Sequence, residues 1–147
     1  MKRTLKYENI LQKFIDGVTA TIGVKYEDPK SVRRNNRGVD KYRAAAKTIA
    51  DTFPDKIINF AELLDHPEGE IRYVCALCLI EIMSVADENI KSKAISVIRE
   101  RYFGLQHQFD RSMIEWWSSK HSVQLFDFED PTVTRSCFLI QGVTVDG

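Results

Sequence analysis

The stretch Phe60-Ala61-Glu62-Leu63-Leu64-Asp65-His66-Pro67-Glu68-Gly69-Glu70-Ile71-Arg72-Tyr73-Val74-Cys75-Ala76 holds one helix end, a turn and the start of another helix. Asp65 can accept hydrogen bonds from N–H groups that a helix start leaves without partners, and Pro67 fixes φ as the chain enters the second helix. Arg72 falls near the turn, where it can pair with an acidic residue. The segment that follows, residues 70–84, is apolar on nearly every side: Ile71, Val74, Cys75, Ala76, Leu77, Cys78, Leu79, Ile80, Ile82 and Met83. A helix of that composition is normally enclosed by others. The expectation is a central rod.

Helical spacing continues on both sides. Leu11, Phe14, Ile15, Val18 and Ile22 recur at steps of three and four over residues 5–22, which Gly23 ends. Val32, Val39, Tyr42, Ala46, Ile49 and Phe53 do so over 30–53, with Ser31 available as a cap and Pro54 as the stop. A short helix is expected over Asp55–Leu64. A fifth follows over 88–103 with Asp87 as its cap and Ile90, Ala94, Ile95 and Ile98 inward. Gly104 separates a sixth over 105–121, striped with Phe109, Met113, Trp116 and Trp117. After His121 the chain turns aromatic and β-branched, which suits a hairpin or an extended arm. The domain reading is 1–121 helical, with 122–147 a tail packed on it or extending from it.

The turn and its flanks resemble a HEAT repeat. In that family a first helix ends in a Leu-Leu-x-Asp/Asn-like turn, Pro follows, and a Val/Ile-Arg pair lies one turn into the second helix; here Leu63-Leu64, Asp65, Pro67 and Ile71-Arg72 occupy those places. The likeness extends from Val32 to Trp117, 86 of the 147 positions, and is to small bacterial HEAT-like proteins similar to immunity or antitoxin proteins. It implies an all-α, HEAT-like α-solenoid of about six helices with a partly extended tail. It also implies a protein-binding role, in its sharpest form an immunity protein that neutralises a cognate toxin by direct binding.

Composition agrees with a soluble helical globule. The apolar fraction is 44% and the charged fraction 29%, with seven Gly and four Pro. No apolar run follows the charges of the first ten residues, and three Cys make no disulfide framework, so a reduced, cytoplasmic protein without membrane association is expected. The formal net charge is zero, yet residues 30–47 carry +6 and residues 62–88 carry −6. Those two poles are the most informative feature of the surface.

Familiar chemistry is missing. There is no glycine-rich phosphate loop, nucleophile elbow or HExxH motif. Cys75 and Cys78 have CxxC spacing but sit inside the most apolar helix, where packing explains them better than redox chemistry or zinc. His107 and His121 lack an accompanying nucleophile or carboxylate set. Asp127, Glu129 and Asp130 fall in the tail. No enzyme activity, metal or cofactor is expected.

Two surfaces remain as candidates. Glu62, Glu68 and Glu70, with Trp116 or Trp117 as an exposed anchor, suit a toxin's basic face. Alternatively, Lys30, Arg34, Arg37 and Lys41 share one helix face with Arg33 beside them, and that stripe suits nucleic acid or an acidic partner. The simpler reading of the stripe, and the one preferred from sequence, is a solvated face that pairs internally with the acidic pole.

Overall fold

A computed structural model of the chain describes residues 5–104 and 108–123. Among the described residues every regular element is helical and no strand occurs. The expected tail after residue 123, and the side chains of His107 and Phe109, lie outside them. The chain divides into one compact unit ending at Ala94 and a second beginning at Ile95.

The first unit starts with α1 (Tyr7–Thr19) and α2 (Pro29–Thr52). Their approach is set by two glycines. A Cβ on Gly17 would stand 2.8 Å from both Gly38 O and Tyr42 N, and one on Gly38 would stand 2.5 Å from Gly17 O. Backbone therefore lies on backbone where the two helices meet, and only hydrogen fits there. The start of α2 corrects the expected cap. Asp28, not Ser31, accepts from Lys30 N–H at 3.0 Å, with Pro29 in the first turn. Ser31 Oγ instead accepts from Lys25 N–H at 2.8 Å and ties the incoming loop to the helix.

The expected third helix is broken. A 3-10 turn (Pro54–Lys56) leads into a single α-turn, α3 (Ile57–Phe60), and a second 3-10 segment (Ala61–Asp65). Pro54 starts it and cannot donate a helical hydrogen bond, and the run is too short to settle into one α-helix. α4 (Gly69–Glu81) is the enclosed rod: none of its residues is exposed, and Cys75, Ala76 and Leu79 are fully buried. Phe14 of α1 meets Tyr42 of α2 at 5.9 Å and Phe60 of α3 at 4.8 Å between ring centroids, both edge to face. That packing adds to the area each ring hides.

The turn before α4 differs from its expected wiring. Glu68, rather than Asp65, caps the helix by accepting from Glu70 N–H, and Asp65 pairs with Lys93. Arg72 reaches back with Nη1 to donate to the carbonyls of His66 (2.7 Å) and Pro67 (3.1 Å). A guanidinium serves better there than a carboxylate pair, because the turn's carbonyls have no helical donors.

α5 (Glu88–Gly104) begins in the first unit and runs into the second. Asp87 caps it as expected, accepting from Asn89 and Ile90 N–H. Ala94, Ile98 and Tyr102 are fully buried, while Ile90 and Ile95 are only half-buried. In α6 (Gln108–Lys120) the expected stripe is displaced. Ile114 and Ser118 are buried, whereas Met113 and Trp116 face out. Ser118 tolerates burial because its hydroxyl donates to Ile114 O. No described helix is long and apolar enough to cross a membrane.

Candidate partner-binding surface

The two charged poles of the first unit have opposite fates in the fold. Most of the acidic one is committed internally. Asp65 pairs with Lys93, Glu81 pairs with Arg43 at 2.9 Å, and Glu68 and Asp87 cap helices. Glu70 is half-buried in the first turn of α4. Of the three predicted acidic contacts Glu62 and Glu68 are exposed, Glu68 with its carboxylate turned to Glu70 N–H, and Glu62 makes no ion pair or side-chain hydrogen bond among the described residues.

The basic pole is left open. Lys30, Arg33, Arg34, Arg37 and Lys41 are all exposed, and none of their side chains forms an ion pair or hydrogen bond among the described residues. Pairing between the poles is confined to Arg43. Lys30 lies in the first turn, where the partial positive charge of the helix N-terminus disfavours cations. α2 has no acidic residue in its first turn and opens instead with Lys30. Asp28 at the N-cap offsets Lys30, but Arg33, Arg34, Arg37 and Lys41 further along have no carboxylate partner among the described residues, which marks a surface shaped by something other than stability.

Part of that face is concave. Lys30, Arg34 and Arg37 of α2 and Lys25 of the α1–α2 loop line a groove of about 350 Å³, with Gly23, Asp28 and Ser31 completing it. The loop is held by its own bonds: Asp28 N–H donates to Lys25 O, and Thr21 Oγ1 donates to Val18 O. Gly23 takes φ +73°, which lets the chain turn out of α1. The close meeting at Gly38 brings Ala20 and Thr21 against α2, one residue beyond Arg37. Packing of the two helices thus fixes the distance between the groove's walls.

The sequence stripe named three of the groove's four cations. It missed Lys25, which is remote from the stripe until the loop folds back. It also missed Tyr26, the next residue, which is 79% exposed, and Ile22, which is exposed before Gly23. The spacing puts Ile22 on the apolar face of α1, but that helix ends at Thr19 and leaves it exposed; Tyr26 carries no periodic signal, and its readable cue was an aromatic next to Lys25.

Other candidates are placed as follows. Trp116 is 59% exposed with Lys120 Nζ 5.0 Å from its ring centroid. Trp117 is half-buried and lies 4.9 Å from the His121 ring. Cys75 and Cys78 are buried, Cys75 Sγ sits 3.6 Å from Phe60 O, and burial pushes the Cys78 thiol up to about 12. Such thiols are neither nucleophiles nor ready ligands. No group of three or more metal-binding side chains occurs among the described residues. No protein-family model, curated protein or solved structure matches the chain.

Proposed function

We propose that this chain is a non-catalytic binding module whose partner is a protein, and that it acts as an immunity protein, neutralising a toxin by covering it. One observation carries the binding role: the run of exposed cations along α2, Lys30 to Lys41, none of whose side chains forms an ion pair or hydrogen bond among the described residues. A protein partner is favoured over nucleic acid by charge balance. Chains that hold a phosphate backbone usually carry an excess of positive charge, whereas this one sums to zero and has a pI near 6.8. The toxin-neutralising form rests on the likeness to HEAT-like immunity proteins.

The test is association with the product of the adjacent gene. Co-expression should yield a stoichiometric complex on size-exclusion chromatography, and calorimetry should return a Kd of about 10 nM or tighter, in the range of specific protein pairs. A neighbour that is harmless when expressed alone and shows no micromolar affinity removes the reading.

The basic stripe supports a second reading, since cations lining a groove also suit phosphodiester oxygens. It predicts binding of a short oligonucleotide that weakens steeply with salt.

A further inference from the structure

We infer that the partner docks on the corner formed by the α1–α2 loop and the first turns of α2, with an acidic protrusion seated in the groove and an apolar contact on Tyr26. The inference rests on the protein-binding reading above and names its surface. It replaces the acidic residues and tryptophans that the sequence suggested.

Three observations converge. First, Lys25, Lys30, Arg34 and Arg37 bring four positive charges to one groove against Asp28 alone. The Asp28 carboxylate accepts from Lys30 N–H, so it is occupied as a cap. Guanidinium groups in a depression favour a carboxylate that can be held by two parallel N–H bonds.

Second, the groove has apolar neighbours. Tyr26 is 79% exposed and Ile22 is 39% exposed, and they lie immediately beside the lining residues Lys25 and Gly23. Tyr and Arg are the residue types that dominate interface energetics, and an aromatic beside a charged pocket is the usual composition of such an anchor. A uniformly charged strand makes little use of an isoleucine.

Third, the surface is prearranged. The loop is tied by Lys25 N–H to Ser31 Oγ and by Asp28 N–H to Lys25 O. The walls are held by the Gly17–Gly38 meeting of α1 with α2. The backbone of the surface therefore needs little ordering on binding, which favours tight association. The acidic surface offers less, because Asp65, Glu68 and Glu81 already serve the fold.

The experiment uses the full-length chain and the purified adjacent-gene product, with calorimetry as the readout. Arg34→Glu/Arg37→Glu should weaken binding by about 100-fold or more, and Tyr26→Ala by about 10-fold to 100-fold. Glu62→Lys and Trp116→Ala should stay within about threefold. Circular dichroism melts verify folding. The charge reversals should keep or raise Tm, because they relieve like-charge repulsion at the helix start, and Arg37→Gln supplies a milder variant for the same comparison. A complex that ignores the groove variants but fails with Glu62→Lys or Trp116→Ala overturns the inference and leaves the protein-binding reading standing. Absence of any complex removes both. A twelve-residue oligothymidylate is the remaining arm. If it binds the wild type and is lost in Arg34→Glu/Arg37→Glu, while the protein complex ignores those substitutions, the groove takes a phosphate backbone and the inference is overturned.

Discussion

Single residues of the first core show their burial most directly through their protons. Burial lifts the Cys78 thiol from an ordinary value of 9 to about 12, and the Tyr7 phenol from 10 to about 12, with Glu62 and Cys75 reinforcing the rise at Tyr7. Tyr42 also rises to about 12, again chiefly by burial. In the folded chain these acids hold their protons longer than in the unfolded one. Their contribution is complete below pH 9, the unfolded thiol value, and is lost as pH climbs toward 12. The urea midpoint should therefore hold steady to pH 9 and fall progressively from 9 to 11. A Tyr42→Phe chain should show a shallower fall above pH 10; an unchanged midpoint at pH 11 would contradict the assignment. Thiol reactivity checks the same burial. In a Cys137→Ser background neither remaining thiol should react with a water-soluble disulfide reagent at pH 8 until urea unfolds the chain. Rapid labelling of Cys78 in the native state would mean that α4 opens. That both cysteines are core residues was legible in sequence, because CxxC spacing fell inside an all-round apolar run. The caps were less legible. Asp28 and Ser31 are both competent N-caps, and Pro29 between them decides in favour of Asp28 because proline prefers the first helical turn.

At the scale of elements, periodicity reads well where one face is buried and the other wet, as in α1, α2 and α5, while α4 was legible from the opposite signal, an apolar composition on nearly every side. It failed for α6, where Trp116 and Met113 made an apolar pattern on the outside and Ser118 went in. A wheel counts apolar residues; it does not see a hydroxyl satisfied by its own helix. It also failed to flag Gly17 and Gly38, although glycine inside a helical pattern often signals close packing. Gly38→Ala tests how much depends on that approach. Alanine gains about 1 kcal/mol of helix propensity over glycine. Against this, its Cβ would press on Gly17 O, a backbone atom that no side-chain rotation can move. Overpacking of this kind costs about 1–3 kcal/mol, and a 2.5 Å approach to a backbone atom falls at the upper end, so a net loss of about 2 kcal/mol and a Tm lowered by several degrees are expected. Because Ala20 and Thr21 rest on the same position, the groove's loop wall should shift, and partner affinity should fall more than stability alone explains. A Gly38→Ala chain with wild-type Tm would show that α1 and α2 can slide apart freely.

For the molecule as a whole, zero net charge hides a local imbalance of use: most carboxylates in the 62–88 segment pair or cap within the fold, while the exposed cations of the 30–41 stretch are left to solvent. The two poles could be counted from sequence, but their commitments could not, because Asp65–Lys93 and Arg43–Glu81 span 28 and 38 residues. Unspent charge acts at a distance and is felt before contact. The Debye length shrinks from about 10 Å at 0.1 M salt to about 3 Å at 1 M, so steering toward the groove should fade over that range. Against an acidic protein partner the association rate should drop about tenfold, with the dissociation rate nearly constant, since contacts already desolvated are screened much less. Arg34→Glu/Arg37→Glu should associate slowly at every salt concentration and lose most of the salt dependence. A phosphate backbone behaves differently. There the equilibrium constant itself would fall by about 10³-fold or more between 50 and 200 mM salt for six phosphate contacts. Stopped-flow traces over a salt series therefore separate the two partners: a slope confined to association supports the protein, and a steep collapse of affinity supports nucleic acid.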